Sequence, residues 1–315
     1  MTALGVAGAA LQAVVIVGGA PLLLGLMRQV RARLEGRVGP GIGQPWRDLR
    51  KQLRKESITP RGTSEMFRVA PVLMVAMTLV VAVVAPFVTV ASPLPAVADL
   101  FVVVALLAPG TVAVALAGLD TGTAFGGMGA SREVTILALV EPTALVAIFA
   151  LSVPVGSTGL PAIVGSTLED PARVISPASL LAAVALAVVI VAETGRVPVD
   201  NPATHLELTM AHEAMVLEYA GPRLALIELG SAMRMSVYLG LLANLFVPWG
   251  VATETGVVAL AVGVAAFVVK VALLGAVLAY VEVFLAKLRL FRVPELLAGS
   301  FLLAMLAVTA AYVLG

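Results

Sequence analysis

The chain has 315 residues, 60% of them hydrophobic and 12% charged, with a mean hydropathy of +1.06. Soluble domains carry about 25% charged residues, so this balance excludes an ordinary soluble protein and implies an all-α, polytopic integral membrane protein. The net charge of +1 says little by itself, but the absence of cysteine excludes a disulfide framework, a thiolate zinc site or a self-held iron–sulfur cluster.

Apolar runs fall near 3–26, 70–91, 97–118, 134–154, 176–193, 223–248, 257–282 and 296–314. Each approaches the ~20 residues that cross ~30 Å of hydrocarbon, which predicts about eight transmembrane helices in a single transmembrane domain over 1–315. The first run lacks a basic leader and a small-residue cleavage site, so it reads as a retained span. Lys and Arg then set the orientation. Segment 28–69 carries eleven of them; Arg132, then Arg196, Arg223 and Arg234, then Lys287, Arg289 and Arg292 fall in later odd-numbered connections, while the even-numbered ones offer only Arg173. The positive-inside rule places the odd connections in the cytoplasm, including the basic loop 28–69 and the polar loop 194–222, with both termini outside the cell membrane.

In the first loop, GRVGPGIGQPWRDLRKQLRKE, Pro45 can open a helix on which Trp46, Leu49 and Leu53 share one face. Arg47, Lys51, Arg54 and Lys55 take the other, so this helix should lie along the membrane surface. Its charges, with Arg37 and Arg50, suit either anionic lipid or a docked soluble partner. Segment 118–133 reads as a flexible glycine-rich loop, because no strand precedes Gly127-Met128-Gly129 and Arg132 replaces the third glycine of a nucleotide fingerprint. The outer loop 154–175 shows neither a ligand-like cluster nor a repeat.

Ionisable residues inside spans cost about 2.5–3.5 kcal/mol each on insertion scales and mark functional sites by default. Glu141 stands inside the fourth span, next to Pro142, which should kink the helix beside the carboxylate. Lys270 lies near the middle of the seventh span and needs a partner, with Glu141, Glu228 and Glu282 as candidates.

The polar chemistry concentrates in Glu193–Tyr219, ETGRVPVDNPATHLELTMAHEAMVLEY, which holds Glu193, Arg196, Asp200, His205, Glu207, His212, Glu213 and Glu218. Asn201 as N-cap and Pro202 at the first position predict a helix to about Tyr219, ended by Gly221-Pro222. Glu207 and Glu218 then share one face, His205 and His212 the opposite one. His212-Glu213 begins a zinc-protease-like pattern, but Val216 stands where the second histidine belongs, so no metal site and no catalytic residue is expected on this chain.

That segment and the basic loop together resemble the signature segments of the membrane subunit shared by respiratory complex I and energy-converting [NiFe] hydrogenases, including formate hydrogenlyase. Arg132 with Glu141, and Phe267-Val268-Val269-Lys270, are similar to polar positions of that family. Several departures favour its hydrogenase branch. Met27 replaces a glutamate of the complex I pattern, Gly41-Ile42-Gly43 is shorter than its quinone-entry segment, and Glu282 stands where that pattern usually has arginine.

The resemblance implies a subunit of an oxidoreductase complex with no active site of its own. It would seat soluble hydrogenase large and small subunits and a ferredoxin-like subunit, which carry the [NiFe] centre and iron–sulfur clusters. It would also contact antiporter-like membrane subunits and lipid, but no nucleic acid. Glu141, Glu193, Asp200, Glu207, Glu213, Glu218, Glu228, Lys270 and Glu282 are the candidates for proton or sodium coupling. Arg37, Arg47, Arg50, Lys51, Arg54, Arg196, His205 and His212 are the candidates for docking. A quinone-site subunit of a complex I-type dehydrogenase and a free-standing ion transporter are the alternatives.

Overall fold

A computed structural model describes residues 3–92, 94–200, 211–254, 256–289 and 292–314. Eleven α-helices are found among them: α1 (Ala3–Leu34), α2 (Gln44–Leu53), α3 (Glu65–Val84), α4 (Leu100–Asp120), α5 (Ala124–Ser152), α6 (Leu160–Glu169), α7 (Pro177–Glu193), α8 (His212–Val216), α9 (Gly221–Phe246), α10 (Val257–Phe284) and α11 (Val293–Leu314). Seven of these are long and apolar enough to cross a membrane, and α7 is a shorter apolar helix. At 17 residues and 1.5 Å per residue, α7 covers about 26 Å, close to the thickness of the hydrocarbon layer.

The spans depart from the apolar runs where local chemistry overrides hydropathy. Two further turns carry α1 to Leu34, so Arg28, Arg31 and Arg33 project beyond its apolar part on a rigid helix. Pro86 cannot donate to the carbonyl four residues back, and α3 stops at Val84 instead of reaching residue 91. Buried Gln12 takes over that role: its Nε2 donates to Ala82 O at 2.6 Å and to Ala85 O at 2.7 Å, while its Oε1 accepts from Val88 N at 2.9 Å. Pro71 leaves the Phe67 carbonyl in the same situation within α3, and there Tyr219 Oη donates to it at 2.8 Å. Despite Pro142, α5 runs on as one helix of 29 residues.

The glycine-rich segment is a helix start, contrary to the flexible loop expected of it. Thr121 to Thr123 are the only residues between α4 and α5, and Thr123 caps α5 by accepting from Gly126 N at 3.1 Å. The glycines let α8 approach closely. A β-carbon on Gly129 would lie 2.8 Å from Ala211 O and 2.9 Å from Ala214 Cβ. In the outer loop the sequence reading missed α6, which buries Leu160, Ile163 and Val164.

At the centre stands α9, packed against α1, α2, α3, α7 and α10. Its most apolar window is 72% buried, against 17% for α10 and 28% for α11, so the last two form the bundle's periphery. Arg234, which the charge distribution assigned to a connection, lies in the middle of α9 and is buried.

Candidate functional site

Between α1, α2, α7, α8 and α9 lies a cavity of about 400 Å³ whose wall includes Arg28, Arg31, Glu193, Arg196, Asp200, His212, Glu213, Glu228 and Arg234. A charged wall of this density at the ends of apolar helices is costly unless its groups are paired. Most of them are.

Glu193, the last residue of α7, accepts from Arg234 of α9 and from Tyr238 Oη at 3.1 Å. Arg234 also donates to Thr111 of α4, and its guanidinium carbon lies 5.8 Å from the Tyr238 ring centroid. Three spans are therefore joined through one cation. Glu193 also lines a second, narrow crevice of about 10 Å³, whose wall includes Glu141. That volume is roughly one water. Glu141 thus connects to the larger cavity through Glu193, not through Lys270.

Lys270 takes a partner outside the three candidate carboxylates. Its Nζ donates to Asn244 Oδ1 at 2.6 Å and to Val247 O at 2.9 Å. The ammonium thereby reaches the C-terminal end of α9, where helix carbonyls lack internal partners and favour a cation. Asn244 Nδ2 in turn donates to Pro86 O and Phe87 O, at 2.9 and 2.7 Å. Lys270 and Gln12 therefore belong to one brace around the end of α3, away from the cavity.

Glu282 is nearly inaccessible and pairs with two cations: Arg31 of α1 at 3.2 Å and Arg196 at 3.5 Å. Burial lowers the Arg196 pKa from its usual value, and the Glu282 charge opposes that shift. Asp200 accepts from Lys287 Nζ at 2.9 Å and from Ala211 N at 3.2 Å. It ties the segment after α7 to the start of α8 and to the chain beyond α10. Glu228 accepts from Gln52 of α2 at 2.8 Å.

The long polar helix expected from Asn201 to Tyr219 is corrected by this geometry. Among the described residues of that stretch, Ala211 gives its N–H to Asp200 and the helix covers His212–Val216; 201–210 lie outside the described residues. Gly221-Pro222, expected to end that helix, instead opens α9, with Pro222 in its first turn. Glu213 and Glu218 are both exposed, and Glu213 alone of the two lines the cavity. His205 and Glu207 lie outside the described residues.

The basic helix forms where its sequence predicts, but of its apolar face only Leu49 is buried, while Trp46 and Leu53 are exposed. Pro45 and Leu49 of α2 are buried, while Arg47, Arg50, Lys51 and Arg54 are exposed. Trp46 Nε1 donates to Gly18 O of α1 at 3.1 Å, and Arg28 pairs with Asp48 at 3.9 Å. A β-carbon on Gly25 would sit 1.9 Å from Ile42 O, so only glycine lets the chain cross α1 there. Arg37, before α2, is exposed and paired with Glu35. The two polar segments also meet directly: Arg223 donates to Thr59, and the Tyr219 ring stacks on Phe67 at 4.0 Å.

Comparison with known proteins places this arrangement. The family model described as NADH dehydrogenase matches residues 7–313. The chain belongs to that family. Within the NADH dehydrogenase family, formate hydrogenlyase subunit 4 of Escherichia coli (strain K12) is 34% identical over 308 residues, covering 94% of this chain and 95% of the relative. Hydrogenase-4 component C of the same organism is 34% identical over 297 residues, covering 94% and 92%. An NADH-quinone oxidoreductase subunit of Koribacter versatilis (strain Ellin345) is 29% identical over 234 residues, covering 68% of this chain and 53% of that protein. In fold, the chain is similar to a chain of the membrane-bound sulfane sulfur reductase, an archaeal respiratory membrane complex, with a TM-score of 0.81, 22% identity and coverage of 96% and 99%. The family is one of membrane subunits of oxidoreductase complexes.

Proposed function

We propose that this chain is the membrane-anchoring and coupling subunit of a membrane-bound [NiFe] hydrogenase complex. It seats a soluble redox arm on the face that carries α2 and links electron transfer in that arm to proton or sodium movement. The observation that carries the reading is that one carboxylate, Glu193, borders both spaces. A cavity flanked by the basic helix α2 contains Glu193, and Glu193 also lines the crevice of Glu141 within α5. The similarity of whole chains to a hydrogenlyase subunit and a hydrogenase component favours a member of a complex over a free-standing transporter. Coverage favours the hydrogenase branch over the quinone-site alternative, since the quinone oxidoreductase relative from Koribacter is matched over only 53% of its length. Without a cysteine the chain lacks the thiolates that such metal centres need, so soluble partner subunits hold them.

The seat is tested by charge reversal. Arg47, Arg50 and Lys51 are exposed, and changing all three to Glu is expected to release the hydrogenase arm from a complex purified through a tag on this chain. Nickel and iron content, measured beside the amount of inserted chain, should fall together with hydrogenase activity. Retention of the arm at moderate salt, where exposed charges are screened, would place the seat elsewhere.

Sidedness has its own test. If the α2 face is cytoplasmic, single cysteines at Ser57 and Ser157 of this cysteine-free chain will react with an impermeant thiol reagent from opposite sides of the membrane. Labelling of both from one side would overturn the orientation.

A further inference from the structure

His212 opens the five-residue helix α8 and stands between the cavity and a carboxylate that does not line it. One ring nitrogen, Nδ1, lies 3.8 Å from Glu133 Oε1, an ion-pair distance. The other, Nε2, lies 3.3 Å from Ser231 Oγ of α9. His212 and Ser231 both line the cavity, and Glu133 lies behind the ring, 13% exposed. Glu133 is within electrostatic reach of Glu193, as are Arg234 and Glu141.

A purely structural histidine would not require this arrangement. The turn of α8 is already fixed by Asp200 on Ala211 N and by the close seat of Ala211 and Ala214 on Gly129. An imidazole with one nitrogen on a cavity-lining hydroxyl and the other toward a partly buried carboxylate can pass a proton from the cavity to that carboxylate.

We propose that His212 carries protons between the cavity and Glu133, and so supplies the carboxylates grouped around Glu193. This rests on the coupling reading above and names its entry residue. Neutral His212, with its hydrogen on Nδ1, takes a proton on Nε2 from the cavity and becomes imidazolium. It then releases the Nδ1 proton to the Glu133 carboxylate, leaving a neutral carboxyl group and a neutral ring with its hydrogen on Nε2; loss of that hydrogen to cavity water and uptake of one on Nδ1 restore the starting tautomer. No oxidant or further reactant is consumed.

The charged groups around the ring are Glu133 of α5, Glu213 of α8 and Arg234 of α9. Burial favours the neutral ring, but the attraction of Glu133, aided by Glu213, outweighs it and raises the pKa above its ordinary value. The imidazolium and its attraction to Glu133 are therefore fully present below about pH 6.5. They are lost as the pH rises through the raised value. Proton delivery should fall over that same upper range.

The test uses the complete complex, purified through this chain and sealed into vesicles, with turnover and proton uptake followed together. His212→Gln keeps a partner for Ser231 but does not titrate. It is expected to lower the proton-uptake rate about a hundredfold, the lower end for a positioned acid–base group, and to abolish the pH inflection. His212→Ala opens space in a cavity of about 400 Å³, and added imidazole should restore uptake where a non-imidazole buffer of equal pH does not. Unchanged uptake in His212→Gln would overturn the inference, as would loss without imidazole rescue or failure of both variants to assemble. Absence of proton uptake with the wild-type complex would instead overturn proton coupling itself, before any variant is compared.

Discussion

Arg234→Met is expected to remove most of the folded protein from the membrane, a larger loss than any surface charge change should cause. The Arg234 and Glu193 side chains are 6% and 4% exposed, and methionine fills much of the arginine volume without its charge. Glu193 would then keep only Tyr238 as a donor, and Thr111 would lose the guanidinium. Removing one member of a buried pair costs about 3–5 kcal/mol, because the remaining charge stays desolvated. Against a total stability of about 5–15 kcal/mol, that is enough to deplete the native state. The double change Glu193→Gln with Arg234→Met removes both charges together and should recover most of the loss, since a buried pair replaced as a unit is often near neutral. Thermal stability of the detergent-solubilised chain checks this: the single variant should fall well below wild type and the double should lie near it. Equal stability of the single and double variants would show that the two charges do not act as a pair.

How much of this was legible beforehand differs from one residue to the next. The many-span helical architecture and the basic helix could be read because each depends on a local pattern: twenty apolar residues, or Trp46, Leu49 and Leu53 at helical spacing behind a proline; of the eight spans expected, seven are long enough to cross and α7 is shorter. The concentration of polar residues after α7 could also be read, and Glu193, Arg196, Asp200 and His212 do line one cavity. The helix expected to run on to Tyr219 could not be read to its end: it stops at Val216, and Gly221-Pro222 opens the next helix.

Partners distant in sequence left weaker signals. Glu282 stood out as a departure from the complex I pattern, and the structure gives it two arginines from separate segments. Nothing local to Glu133 pairs it with His212, and Arg234 reads as a loop cation until α9 is seen to begin at Gly221. The glycines of 126–129 suggested a loop because glycine lowers helix propensity. A close helix crossing has the same signature, and Ala211 beside Gly129 decides between them. Gln12 had the one signal that could have been used: a lone amide in an apolar span needs a partner, and a proline ending another span leaves a carbonyl that needs one too.

That pairing gives the second large effect. In Gln12→Leu the Ala82 carbonyl loses its side-chain donor while Pro86, four residues on, has no N–H to replace it. The Val88 N–H loses its acceptor as well. Phe87 is less affected, because its N–H also reaches Ala85 O at 2.9 Å. Two orphaned backbone groups at about 1–3 kcal/mol each sum to roughly 2–6 kcal/mol, and lipid supplies no water to reduce that figure. Gln12→Glu keeps the acceptor for Val88 but loses the donor for Ala82 when ionised, so it should fall between wild type and Gln12→Leu at neutral pH. Protonation of that glutamate restores a donor, so its deficit should shrink as the pH falls, whereas the leucine variant's should not. Unfolding temperatures of the three chains across pH check both statements. The brace also includes Asn244, which holds the Pro86 and Phe87 carbonyls from the opposite side under the hand of Lys270. Because both amides order the same turn, Gln12→Leu combined with Asn244→Leu should cost less than the sum of the two, the turn having already come apart in either one. Strict additivity would mean that Gln12 and Asn244 act on independent structures and that the brace is not a unit.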